Sequence, residues 1–85
     1  MATNIMRAAK ERGIDLKAIA RSVNELESYI DEVDLIMIGP HMIYIKDEVE
    51  VVANSKNIPL CIIDRKSYMT LDGKGVLNQI IEILN

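Results

Sequence analysis

The amino-acid sequence predicts an α/β fold in which a parallel β-sheet is flanked by helices. Two nearly unbroken apolar runs, VDLIMIG and IPLCIID, are typical of strands buried on both faces. Stretches with apolar residues at helical spacing separate and follow these runs, and strands that alternate with crossover helices form parallel sheets. The predicted order is helix, strand, helix, strand, helix, strand, helix, in a single domain over residues 1–85.

A change of period separates the first two elements. From Met1 to Arg12 the apolar residues cluster on one face, which predicts a helix, and Gly13 is a natural C-terminal stop. Between residues 14 and 23 apolar and polar residues alternate instead, which predicts an edge strand with one face towards solvent. The alternating apolar side chains are Leu16, Ala18 and Ala20.

The middle of the chain is predicted to form a short helix, a buried strand and a longer helix. Asn24 is expected to cap the short helix, which turns Leu26, Tyr29 and Ile30 inward. The buried strand runs from Val33 to Ile38 and ends on Gly39 and Pro40. Proline is well suited to an early helical position, so a helix is predicted from His41 to about Ser55.

The last strand is predicted to end at Asp64, and DGKG is expected to be a turn before the final helix. That tetrapeptide matches neither the P-loop nor the dinucleotide-binding fingerprint. In the final helix, one apolar stripe is formed by Val76, Leu77, Ile80, Ile81 and Leu84.

Composition excludes several classes of function. The net charge of −3 and the absence of Trp and Phe argue against a nucleic-acid partner, which would need a basic footprint or stacking platforms. No apolar run approaches the 18 or so residues of a membrane span, so a cytoplasmic protein without direct membrane insertion is expected. Because Cys61 and His41 are the only residues of their kinds, no metal site and no cofactor are predicted.

Four segments in register resemble the enzyme IIB component of the phosphoenolpyruvate-dependent sugar phosphotransferase system, in its lactose and cellobiose (diacetylchitobiose) branch. MAT is similar to the end of the family's Cys-x-x-Gly-Met-x-Thr loop, and VDLIMIGPHMIY is similar to its strand followed by Gly-Pro-x-x-x-Tyr. IPLCIID and YMTLDGKGVL match its last strand and its Tyr-x-x-x-Asp-Gly-x-x-Val-Leu segment.

The resemblance implies a four-stranded parallel sheet of order 2-1-3-4. In the family, a cysteine that closes the first strand receives phosphate from a histidine of the IIA protein and passes it to the sugar held by the membrane component IIC. Met1, Ala2 and Thr3 then correspond to the far side of the phosphate loop. The first strand and the phosphocysteine have no counterpart among the 85 residues, so an N-terminally truncated domain with three strands and no catalytic acceptor is expected.

Each candidate site residue also has a simpler interpretation. Thr3 could offer its hydroxyl and amide to an anion or could cap the first helix. The candidate docking face for IIA or IIC consists of Gly39, Pro40, His41 and Tyr44. Within it, His41 could face the phosphohistidine of a partner or could simply be a solvated residue at a helix start.

Cys61 and a set of acidic residues receive structural interpretations. Cys61 lies within the last predicted strand, and an apolar surround suppresses the thiolate form that acts as a nucleophile. It is therefore expected to be a core residue rather than the phosphoryl acceptor. The carboxylates Asp47, Glu48 and Glu50 are most simply a solvated helix face.

The leading hypothesis is a IIB phosphocarrier for a cellobiose-, lactose- or chitobiose-type sugar, inactive as this chain alone. The alternative is a non-catalytic module that docks on IIA or IIC, and an unrelated small α/β domain ranks last. Without the internal strand, the edge strand from Leu16 and the strand from Val33 would lie two strand spacings apart, about 9.5 to 10 Å. Instability or self-association of the chain is therefore expected.

Overall fold

The computed structural model describes residues 1–84, which form two compact units. Residues 1–20 and the C-terminal segment from Ile63 form the first, which we call the helical unit. Residues 21–62 form the second, which we call the strand unit and which contains two parallel strands among several helices. The predicted α/β class with a parallel sheet is confirmed.

Three helices make up the helical unit: α1 (Ala2–Glu11), α4 (Arg65–Met69) and α5 (Gly73–Leu84). Ala8 and Ala9 of α1 pack with Leu77 of α5 in the core, and each of the three is at most 4% exposed. Small residues on α1 allow the two helix backbones to approach closely. Ile14, Leu16 and Ile81 are partly buried against this cluster.

Helices α1 and α5 run in the same direction. Near their starts, a Cβ atom added to Gly73 would lie 2.2 Å from the carbonyl oxygen of Asn4, so the backbones are in contact there. Further along, Arg12 Nη1 donates a hydrogen bond of 2.8 Å to Asn78 Oδ1. Their N-termini therefore lie side by side, and Gly73 is required by the close approach.

The strand unit begins with a 3₁₀ turn (Val23–Glu25), helix α2 (Leu26–Tyr29) and a second 3₁₀ turn (Ile30–Glu32). Strand β1 (Ile36–Ile38), a 3₁₀ segment (Pro40–Ile45), helix α3 (Lys46–Ser55) and strand β2 (Leu60–Ile62) follow. The strands pair in parallel with Met37 opposite Cys61. As predicted, Ile30 is buried and Leu26 and Tyr29 are half-buried.

Three helices end in the same hydrogen-bonded motif, in which one residue adopts left-handed backbone angles. That residue is Gly13 after α1 (φ +71°), Asn57 after α3 (φ +57°) and Leu71 after α4 (φ +53°). In each case the next amide donates to the carbonyl five residues earlier, as Ile14 N does to Ala9 O at 2.9 Å. Gly13 is thus confirmed as the stop of α1. Leu71 adopts this conformation at a steric cost that glycine does not carry.

The strand predicted over residues 14–23 is wrong, and the described residues contain two strands rather than three. The alternation holds in the first half of this segment, where Leu16 and Ala18 are half-buried and Lys17 is exposed, whereas Ala20 is exposed, contrary to the prediction. This segment packs its alternate side chains without a strand partner. A period of two therefore predicted the burial pattern correctly as far as Ala18, whereas a strand also requires a hydrogen-bonded neighbour.

Other predicted boundaries also need correction. The helix predicted from His41 is a 3₁₀ segment up to Ile45, kinked at Met42, and becomes α-helical only at Lys46. Asn24 caps no helix, because it lies inside the 3₁₀ turn that follows Ser22. The predicted turn at DGKG is in fact the start of α5, where Asp72 Oδ1 accepts a hydrogen bond from Gly75 N at 3.1 Å.

The two apolar runs form shorter and less buried strands than predicted. Ile36, Met37 and all three residues of β2 are half-buried, and only Ile38 is fully buried. In the final stripe of α5, Val76, Leu77 and Ile80 are buried as predicted, whereas Leu84 is 49% exposed. In a two-stranded sheet each strand is an edge strand, and its side chains are only partly covered by neighbouring elements.

Candidate functional site

The proposed remnant of a phosphate loop lies at the start of α1. Met1 is the N-cap residue of this helix, and its carbonyl oxygen accepts a hydrogen bond from Ile5 N at 3.1 Å. Ala2 and Thr3 are the first two helical residues, and the Thr3 side chain is exposed. Since α1 has no side-chain cap, the interpretation of Thr3 as a cap is wrong.

The start of α1 is held by the loop between α4 and α5. Asn4 Nδ2 donates a hydrogen bond of 3.2 Å to the carbonyl oxygen of Leu71, which also accepts from Gly73 N at 3.1 Å. The Asn4 backbone lies directly against Gly73. Sequence reasoning missed Asn4, Leu71 and Gly73, because contacts across 67 or more residues leave no periodic signal.

Helix α4 was also missed, although its cap has a recognisable residue type. Asp64 Oδ2 accepts a hydrogen bond from Ser67 N at 3.0 Å, and Asp64 N donates to Gln79 Oε1 at 3.0 Å. An aspartate directly before a helix is a favoured N-cap. Asp64 therefore both starts α4 and links it to α5.

The candidate docking face follows β1 in the strand unit. Gly39 has extended backbone angles and caps the 3₁₀ segment, in which Pro40 is the first residue. The Gly39 carbonyl accepts from Met42 N at 2.9 Å, which tightens the exit from the strand. His41 is exposed, and Tyr44 is 76% exposed. The sequence therefore places these residues on one short segment whose two largest polar side chains face solvent.

Cys61 lies in β2, as predicted, and is half-buried rather than fully buried. Its Sγ atom is 3.4 Å from the carbonyl oxygen of Ile62, to which a thiol can donate. Backbone pairing with β1 fixes its position in the middle of the strand. A phosphocysteine would need a loop whose amides surround the phosphate, and a residue within a strand ladder does not have one.

The candidate residues fall into two groups. Met1, Ala2 and Thr3 are adjacent in the helical unit, whereas Gly39, Pro40, His41 and Tyr44 are adjacent in the strand unit. Over residues 1–84 we find no group of three or more side chains suited to hold a metal ion. None of the helices described is both long and apolar enough to cross a membrane.

Charge is distributed unequally between the two units. The strand unit contains three cations (Arg21, Lys46 and Lys56) and eight carboxylates, a net charge of −5 with His41 neutral. The helical unit contains seven cations and five carboxylates, a net charge of +2.

Each cation of the strand unit has a carboxylate partner within that unit. Arg21 pairs with Glu25 at 3.7 Å, Lys46 with Glu50 at 3.1 Å and Lys56 with Asp31 at 3.3 Å. The Arg21 guanidinium also lies over the Tyr29 ring at 5.1 Å. Interaction with the Tyr29 side chain, which includes a hydrogen bond, and the negative charge of Glu25 raise the pKa of Arg21.

Comparison with known proteins gives a consistent result over nearly the whole chain. The family described as "PTS system, Lactose/Cellobiose specific IIB subunit" matches residues 1–79. The chain is 25% identical over 84 residues to the "PTS system oligo-beta-mannoside-specific EIIB component" of Bacillus subtilis (strain 168), covering 99% of this chain and 82% of that protein. It is 23% identical over 90 residues to the "PTS system galactose-specific EIIB component" of Lactococcus lactis subsp. cremoris (strain MG1363), covering 100% and 83%.

Proposed function

The chain belongs to the family of lactose/cellobiose-specific IIB subunits of the phosphotransferase system, and from this premise we propose that it serves a cellobiose-, lactose- or chitobiose-type sugar. In this proposal it docks on the IIA protein and on the membrane component IIC of the same system. The match over residues 1–79 carries the proposal, because it includes the first helix, both strands and the start of α5.

The start of α1 is proposed to border the phosphoryl group during transfer. Met1, Ala2 and Thr3 correspond to the far side of the family's phosphate loop, and a helix start favours anions through its unpaired amides. Asn4 and Gly73 hold this start against α5. Transfer between phosphohistidine and thiolate depends on positioning and charge stabilisation, so a firmly held loop supports it.

Gly39, Pro40, His41 and Tyr44 are proposed to contribute to docking. Tyr44 offers a large exposed ring with a polar end, a type of side chain enriched at protein interfaces. His41, which is exposed near the end of β1, is proposed to lie opposite the partner's phosphohistidine. The tight turn at Gly39 and Pro40 sets the direction in which this segment leaves the strand.

Cys61 is proposed not to be the phosphoryl acceptor. The test is to incubate the 85-residue chain with IIA carrying labelled phosphate on its histidine, and to measure both IIA binding and label on the chain. We expect IIA to bind and no label to appear on Cys61, with the Cys61→Ser variant behaving in the same way. Label that is present in the wild type and absent from Cys61→Ser would overturn this assignment.

A second candidate function is a docking module without its own phosphoryl acceptor, competing with or regulating a complete IIB. The position of the single thiol inside β2 favours this candidate. Translation of the DNA upstream of the Met1 codon separates the two. An apolar strand followed in frame by Cys-x-x-Gly supports a phosphocarrier, whereas a stop codon directly upstream supports the docking module.

A further inference from the structure

The exposed face of α3 and of the turn before it combines apolar and acidic side chains. Ile43 is 56% exposed, Tyr44 76% and Val51 72%. Asp47 and Glu48 are exposed in the first turn of α3, and helical spacing places them on the same face of α3 as Val51. Ile43 and Tyr44 are exposed in the 3₁₀ segment directly before that turn. We call these five residues the α3 face. Large exposed apolar side chains that cluster in this way mark interaction surfaces.

The two carboxylates of the α3 face form no ion pair with any residue that the structure describes. Lys46, the one cation of α3, pairs with Glu50. The other two cations of the strand unit pair with Glu25 and Asp31, and none of the ion pairs found in residues 1–84 includes Asp47 or Glu48. The face therefore carries two of the five carboxylates that form no ion pair in a unit whose net charge is −5.

A groove of about 260 Å³ extends this surface on one side of α3. Glu48 lines it together with Glu27 of α2, and its apolar walls are provided by Val23, Leu26 and Val52. The lining contains two carboxylates and no Lys or Arg. An aliphatic stem that ends in a cation could place its methylenes along the apolar walls and its charge between the carboxylates.

We infer that the α3 face and its groove bind a cytoplasmic loop of the membrane component IIC. The inference rests on the proposed function, which supplies IIC as a partner. Cytoplasmic loops of membrane proteins carry an excess of Lys and Arg, which complements the charge of this surface. Lipid headgroups of the cytoplasmic leaflet are anionic and would repel the same surface. The chemistry therefore selects the protein loop over the bilayer.

The experiment measures binding of the 85-residue chain to phosphatidylcholine vesicles that contain IIC, with IIC-free vesicles as the blank. We expect binding only when IIC is present, and an affinity that falls as salt is raised. Glu48→Lys and Asp47→Lys should each weaken binding about tenfold or more, because each puts a cation against a basic loop. Val51→Ser should weaken it through the loss of an apolar contact.

Glu82→Lys is the matched control. It makes the same change in net charge at an exposed carboxylate of α5, in the helical unit, and should alter affinity by less than about twofold. Equal losses for Glu82→Lys and Glu48→Lys would overturn the inference, since the effect would then be one of net charge. Unchanged binding by Glu48→Lys and Asp47→Lys, or equal binding to IIC-free vesicles, would also overturn it.

Titration of the same variants with IIA separates this inference from the proposed function. If IIA binds the wild type but substitutions in the α3 face leave the affinity for IIC unchanged, only the inference fails. If neither IIA nor IIC binds the wild type, the proposed function fails with it. A dimer that Glu48→Lys dissociates without affecting IIC binding would assign the face to a second copy and overturn the inference.

Discussion

Replacing Gly73 by alanine should separate the two helices of the core. The added Cβ would lie 2.2 Å from Asn4 O and 2.5 Å from the Asn4 carbonyl carbon. A carbon and a carbonyl oxygen normally approach no closer than about 3.3 Å, so the backbones would have to move apart by about 1 Å. The obstacle is backbone, which cannot rotate away as a flexible side chain would.

One favourable and two unfavourable terms decide the sign of this effect. Alanine is favoured over glycine by up to about 1 kcal/mol inside a helix, an effect that is reduced at the first helical position. Overpacking costs about 1 to 3 kcal/mol. A shift that breaks the hydrogen bond from Asn4 to Leu71 adds about 1 kcal/mol. The free energy of unfolding should therefore fall by about 2 kcal/mol, which lowers Tm by about 8 to 16 °C in a domain of this size.

The assay is urea unfolding followed by circular dichroism, with thermal unfolding as a second measurement. Lys74→Ala, at the exposed neighbouring position of α5, is the control and should change stability by less than about 0.5 kcal/mol. A Gly73→Ala variant as stable as the wild type would refute the close approach of α1 and α5.

Three further predictions concern the strained turn, a helix cap and the sheet edge. Leu71→Gly should raise the free energy of unfolding by about 1 kcal/mol in urea unfolding, because Leu71 is 57% exposed and has φ +53°. Met69→Gly, within α4, is the control and should lower it. A Leu71→Gly variant less stable than the wild type would contradict the steric cost assigned to Leu71. Asp72→Ala should lower the free energy of unfolding by about 1 kcal/mol, and with it Tm, because the hydrogen bond from Gly75 N is lost. Asp72→Asn keeps an acceptor oxygen and should retain most of the stability. Sedimentation equilibrium should show concentration-dependent self-association, because within residues 1–84 β1 pairs with β2 alone and its other edge has no strand partner. A 9.6 kDa monomer at all concentrations would contradict this prediction.

Periodicity predicted the features of this chain that depend on local sequence. The buried faces of α1 and α5, the positions of both parallel strands and the stop at Gly13 all follow from residues close together in the chain. The strand predicted from residue 14 was wrong for a physical reason. Alternating burial against a helical pair produces the same pattern as a half-buried strand, and only a hydrogen-bonded partner distinguishes them.

The long-range features could not be predicted in this way. The contact between Asn4 and Gly73 depends on how two helices pack, and neither residue type is unusual at a helix start. The left-handed conformation of Leu71 contradicts residue preference, so no local rule would place it there. The charge imbalance of the strand unit was hidden within a net charge of −3 until the structure assigned residues to units.

The decisive measurement is binding of IIA that carries labelled phosphate on its histidine to the 85-residue chain, followed by location of the label. We predict saturable binding that Tyr44→Ala weakens, with no label on Cys61. Label on Cys61 would contradict the assignment of that thiol to a structural strand. Absence of any binding to IIA would contradict the proposal that this chain acts as a IIB component.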